Sequence, residues 1–158
     1  MDRLETAGSA YPAPELDVTQ WFGGETSLQQ LRGRVVMIEA FQMLCPGCLS
    51  YGLPQAQRVR KQFPEVAVIG VHTVFEHHEV TGPEALKVFL GEFGILFPVG
   101  VDRHDGQRIP VTMRAYELEG TPSTILIDRA GNLRFTHLGA LPELQLGAML
   151  GELQAEPA

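Results

Sequence analysis

Two stretches of the chain, residues 35–41 and 66–73, are apolar almost without interruption, and each is too short for a helix. Runs of that kind suit strands at the centre of a parallel sheet, covered on both faces. A short strand is expected over 16–22 and a helical turn over 27–31, stopped by Gly33. A helix follows over 49–63, where Pro54 interrupts the spacing and should kink it. Pro83 opens a further helix that runs to residue 93 and closes at Gly94, with proline at a permitted early position and glycine past the end. Residues 97–101 make a short strand, and 111–118 a helix ended by Gly120. Two β-type runs, 123–128 and 133–138, flank the turn 129–132 and predict a hairpin, after which 142–153 supplies a closing helix. Strands alternating with helices, then a hairpin and a terminal helix, make an α/β sandwich around a mixed sheet. Residues 1–15 have turn composition and no apolar period, which predicts a loose N-terminal lead before a single domain over 16–158.

Composition narrows the class without altering that picture. The 158 residues, 44% hydrophobic and 20% charged, suffice for one globular domain with a packed core. The formal charge of −7 is spread along the chain, with no lysine or arginine stripe interleaved with aromatics, so no nucleic-acid partner is expected. The longest apolar runs fall far short of the roughly 18 residues a membrane helix needs, so no membrane span is expected. The first residues, Met1-Asp2-Arg3-Leu4-Glu5, lack the basic and apolar regions of a secretory leader, and a cytoplasmic location is expected. Trp21 and the phenylalanines suit core or lid packing, and no cofactor box stands among them, so no cofactor is expected.

Cys45 and Cys48, the only cysteines, form a Cys-Pro-Gly-Cys run soon after the first apolar strand. Pro46 and Gly47 lead into the helix, which puts Cys45 at the N-cap and Pro46 at the first helical position. There the sulfur can accept hydrogen bonds from the N–H groups of Gly47 and Cys48 and faces the positive end of the helix dipole, so a lowered pKa is expected for Cys45. Cys48, one turn further in and less exposed, can attack a mixed disulfide formed on Cys45. A structural disulfide, half of a zinc site and two unrelated core cysteines are the competing readings. So short a loop makes cross-linking a weak reason for the pair. Zinc wants four ligands and no second CxxC exists, although His72, His77 or His78 could fill in. A lone CxxC after a strand in an α/β pattern is instead a redox signature, so redox chemistry is the reading adopted, with no metal site.

Glu39 is the other anomaly. A carboxylate in the middle of a doubly covered strand is costly to ionise, so its pKa should rise toward neutrality and let it serve Cys48 as base. The alternative is that Glu39 points to an edge or pairs locally. If 35–41 and 66–73 are neighbours, the stretch 72–79, with Glu76-His77-His78-Glu79, lies near Cys45 at the end of the sheet where such folds bind ligands. Its histidines can tune the thiol or bind a metal, although most such clusters are solvated loops.

The run 35–48, the segment Gly120-Thr121-Pro122-Ser123-Thr124 and the hairpin Leu126-Ile127-Asp128-Arg129-Ala130-Gly131 together resemble the thioredoxin-like redoxins, especially the TlpA-type disulfide reductases. The similarity covers roughly 16–153 by element order. It implies a thioredoxin-like fold, with a central mixed β-sheet flanked by helices, an inserted αβ element and an N-terminal extension. It further implies a cis Thr121-Pro122 bond that faces the CxxC, with Thr121 offering backbone hydrogen bonds to an extended substrate. Glu39, six residues before Cys45, takes the place of the buried acid of thioredoxin. Thioredoxin's lysine on the neighbouring strand has no equivalent in 66–73, where His72 is the nearest ionisable substitute. Leu44 stands where most such sites carry tryptophan, which alters the surface that it forms with Pro46 and Gly47 for the partner. Pro54 lies one residue later than the usual helix proline, which predicts a shifted kink.

Cys45-Pro46-Gly47-Cys48 also resembles the Thr-Pro-x-Cys of the related AhpC/TSA peroxiredoxins, whose last cysteine attacks peroxide. Cys45 in place of the threonine counts against a thiol peroxidase using Cys48. A thioredoxin-fold copper carrier, using both thiolates with His137 or a histidine of 72–78, is a third reading, and such carriers usually space their cysteines by three residues. The expectation is therefore a thiol:disulfide oxidoreductase in which Cys45 attacks, Cys48 resolves, Glu39 moves protons and Thr121-Pro122 holds the substrate backbone. A cytosolic setting favours the reductase direction. The partners implied are a disulfide-containing protein or small molecule and an electron-donating thiol or thioredoxin-system partner.

Overall fold

Side chains of the first long apolar run alternate between two cores, one on each face of a seven-stranded sheet. The computed structural model describes residues 3–158. Its strands are β1 (Tyr11–Pro12), β2 (Val18–Phe22), β3 (Val36–Phe41), β4 (Ala67–His72), β5 (Val99–Asp102), β6 (Ser123–Ile127) and β7 (Asn132–Leu138), in the spatial order β1-β7-β6-β3-β4-β5-β2. β3 runs parallel to β4, and β4 to β5; the other pairings are antiparallel, so the sheet is mixed as expected. Every residue of β3 and β4 is buried, as suits strands covered on both faces. Met37 and Phe41 pack on the side of α1 (Leu53–Gln62), α2 (Pro83–Glu92) and α4 (Glu143–Ala155). Val36 and Ile38 pack on the other, with Leu28, Tyr116 and Ile125. By the same alternation Glu39 belongs to the α1 face.

α2 and β5 form the inserted αβ element between β4 and the segment leading to β6. Three differences from the sequence expectation go beyond a residue or two at the end of an element. α3 (Val111–Ala115) stops short of 118 because Glu117 takes a left-handed backbone, φ 54°, which a continuing helix cannot accommodate. The stretch read as a loose lead contains β1, in which Tyr11 pairs with Leu133 of β7, and the Glu5 N–H bonds to the Arg134 carbonyl at 2.8 Å. Composition missed it because its backbone bonds depend on an edge strand over a hundred residues away. The third difference, in the helix after the cysteines, belongs to the site. Among the described residues no helix is long and apolar enough to cross a membrane.

Candidate active site

Cys45 sits between strand and helix as the sequence predicts. Its carbonyl accepts the Leu49 N–H at 3.2 Å, the first helical hydrogen bond, while Pro46 and Gly47 already have helical conformation. Of the two amides expected at its sulfur, that of Cys48 arrives, at 3.4 Å; no bond from Gly47 forms. On the other side the Cys45 Sγ lies 3.5 Å from the Thr121 carbonyl oxygen. Both cysteines are thiols, Cys45 partly exposed and Cys48 fully buried. Burial pushes the Cys48 thiol strongly up, with the Cys45 sulfur adding to the effect. Inner and outer sulfurs thus differ in access, and the inner one is costly to ionise.

The Thr121-Pro122 peptide is cis and stands against the dithiol. A methyl group added at Gly47 would lie 3.1 Å from the Pro122 ring, so helix and proline touch where glycine has no side chain. The Pro122 carbonyl accepts the Gly139 N–H at 2.8 Å, which ties the loop to the end of β7. Leu44, 53% exposed, and the exposed Pro46 flank Cys45 at the surface.

Glu39 is fully buried, and desolvation holds its carboxyl well above the usual carboxylate range. Its Oε1 accepts the Thr124 hydroxyl at 2.9 Å, across the β3–β6 ladder, and Oε2 has no hydrogen-bond partner. What Oε2 meets is Gly52, where a Cβ would come within 2.7 Å of it and within 2.8 Å of the Pro122 Cβ. Gly52 belongs to a π-turn over Cys48–Gly52, closed by the Leu53 N–H bonding to the Cys48 carbonyl five residues back. The late position of Pro54 is met here: the helical run that begins at Pro46 takes up one extra residue as π-turn between Cys48 and α1, and Pro54 follows directly on that turn.

His72 and Gln42 complete the surroundings. His72 is almost wholly buried, and its Nε2 accepts the Met43 N–H at 3.2 Å, which fixes the neutral tautomer with the proton on Nδ1. Burial first, and His104 second, lower its pKa to about 4. It packs on Phe41 with ring centroids 5.2 Å apart and braces the loop entering Cys45. Gln42 was not singled out by the sequence reading. Its Oε1 accepts the N–H groups of Phe75 and Glu76 at 3.1 and 3.2 Å, which brings the start of the 72–79 stretch beside the dithiol, whereas His77, His78 and Glu79 are exposed. A polar amide at the end of an otherwise apolar strand was the available signal. Among the described residues no three His, Cys, Asp or Glu side chains gather as a metal-ligand set. His137 meets the Ala140 carbonyl at 2.9 Å.

Solved structures share this architecture, and sequence relatives match the chain over most of its length. The thioredoxin-like superfamily protein SPOA0173 is 54% identical, with a TM-score of 0.92 over 93% of this chain and 98% of its own. A structure named as a thiol-disulfide isomerase from Corynebacterium glutamicum is 54% identical, with a TM-score of 0.88 over 92% of this chain and 97% of its own. The thiol-disulfide oxidoreductase ResA of Bacillus thuringiensis (strain Al Hakam) is 26% identical over 141 residues, 89% of this chain and 76% of that protein. With the AhpC/TSA family model matching residues 10–136, the chain belongs to that family and is a thioredoxin-like thiol:disulfide oxidoreductase.

Proposed function

We propose that the oxidoreductase acts as a disulfide reductase through Cys45 and Cys48, in a reducing, cytoplasmic setting. The Cys45 thiolate attacks one sulfur of a substrate disulfide, forming a mixed disulfide and releasing the first substrate thiol. Cys48 then gives up its proton and attacks the Cys45 sulfur, which releases the second thiol and leaves a Cys45–Cys48 disulfide. Two electrons and two protons pass to the substrate, and an electron-donating thiol or thioredoxin-system partner restores the pair. Glu39 in its ionised form takes the Cys48 proton; a carboxyl raised by burial is a better matched base for a thiol than an ordinary one. Thr121 and Pro122 hold the substrate backbone, while Leu44, Pro46 and Gly47 form the surface around the entering disulfide.

The observation that carries this reading is the placement of the partly exposed Cys45 sulfur between the Cys48 N–H and the Thr121 carbonyl, with Cys48 buried behind it. Reduction of insulin disulfides by dithiothreitol tests it. Cys45→Ser should abolish catalysis, and Cys48→Ser should accumulate a mixed disulfide seen by mass spectrometry. Hydrogen peroxide consumption that survives Cys45→Ser and is lost in Cys48→Ser would overturn it in favour of a thiol peroxidase.

A further inference from the structure

Gln42 follows directly on β3 and is buried, yet the mechanism above gives it no part. Its side chain is engaged at both ends. Oε1 accepts the Phe75 and Glu76 N–H groups, and Nε2 donates to the Thr121 Oγ1 at 3.4 Å. Its backbone carbonyl accepts the Cys45 N–H at 3.2 Å. One residue therefore touches the cysteine turn, the loop after β4 and the residue before the cis proline. A contact of 3.4 Å is long for an N–H···O bond, so its importance lies in what it orients. The Thr121 carbonyl in turn faces Cys45, whose Sγ lies 3.5 Å from its oxygen.

We propose that Gln42 is a positioning residue for disulfide exchange, holding Thr121 so that its carbonyl stays beside the Cys45 sulfur that Cys48 must attack. The two loop amides on Oε1 fix which way the Gln42 amide faces, and so make Nε2 the end that meets Thr121. The placement of Thr121 is thereby coupled to the loop at 75–76. The proposal rests on the assignment of Cys45 and Cys48 above.

The experiment is a mutant cycle on the full chain, reading kcat/KM for a peptide disulfide and the single-turnover rate at which the mixed disulfide resolves. Gln42→Met fills the volume with no donor and only a weakly accepting sulfur, and Thr121→Val removes the hydroxyl. Each should slow resolution about tenfold, the worth of roughly one hydrogen bond. The double variant should be no slower than the slower single one. Thr121→Ser, which keeps the oxygen, should resolve about tenfold faster than Thr121→Val. The rate of Cys45 alkylation by iodoacetamide should change in the same direction and by the same factor in Gln42→Met and Thr121→Val, a match that general loosening of the site would not produce. Resolution within twofold of wild type in Gln42→Met, or losses that multiply in the double variant, would overturn the proposal. If circular dichroism shows Gln42→Met unfolded, Thr121→Val against Thr121→Ser decides: a tenfold gap supports the proposal and equal rates overturn it. A wild-type chain that reduces no disulfide would instead sink the dithiol assignment, and this proposal with it.

Discussion

Two buried titratable residues set opposite limits on the pH range of the site. The His72 pKa falls from its ordinary 6.5 to about 4 on folding, so the folded chain binds that proton less well than the unfolded one. Its neutral form contributes fully above pH 6.5, and stability is lost as pH falls from there through 4, by about 3 kcal/mol. Glu39 has the opposite sign: its raised pKa leaves stability intact below the ordinary carboxylate range and erodes it as pH climbs. Urea unfolding from pH 4 to 9 should show a flatter acid side in His72→Gln and a flatter alkaline side in Glu39→Gln; parallel profiles for variants and parent would contradict both assignments. Glu39 was legible in the sequence because an acid inside an apolar run has few places to go. Gln42 was not, because an amide after a strand reads as an ordinary loop residue until its partners at 75, 76 and 121 are known.

Among the elements, the turn between Cys48 and α1 shows how a local rule and a tertiary contact divide the work. Proline near a helix start follows a local preference, and the spacing of Pro54 already marked the segment as irregular. That the extra residue becomes a π-turn is decided by contact. Gly52 has ordinary helical angles, φ −62° and ψ −57°, so only the closeness of Glu39 and Pro122 calls for glycine there. Gly52→Ala should therefore displace the carboxyl or the proline loop and cost about 1–3 kcal/mol in urea unfolding, as overpacked sites do. It should also slow insulin reduction, because the Thr121-Pro122 loop that it displaces stands against the dithiol. A variant as stable and as active as the parent would show that the turn yields freely. The hairpin and α2 needed no such arbitration, because their turn and end residues fix them locally.

On the scale of the whole molecule, the N-terminal segment, the hairpin and the end of α4 meet at Arg134. Its guanidinium bonds to Asp128 at 3.2 Å, to the Glu156 carboxylate and to the Glu5 carbonyl, and its side chain is almost wholly buried. Arg134→Met leaves Asp128 buried without its cation, a loss of about 3–5 kcal/mol. This cluster lies at the end of β6 away from the site, since Ser123 aligns with Ala40 and Ile127 with Val36, four residues or roughly 13 Å lower down the strand. The kcat of whatever Arg134→Met protein remains folded should therefore match wild type within about twofold, although its urea midpoint falls; a large drop in kcat would show that the far end of the sheet governs the chemistry.

The sequence by itself determined the order of strands and helices, the doubly covered centre of the sheet and the position of Cys45 at a helix start. Those features depend on periodicity, end residues and spacings of a few positions, all of which are local. Tertiary structure decided that β1 joins the edge of the sheet, that α3 stops early, that a π-turn presses Gly52 against Glu39, and that Gln42 joins three segments around two sulfurs. Each of those depends on groups far apart in the chain being brought within a few ångströms, which no local spacing encodes.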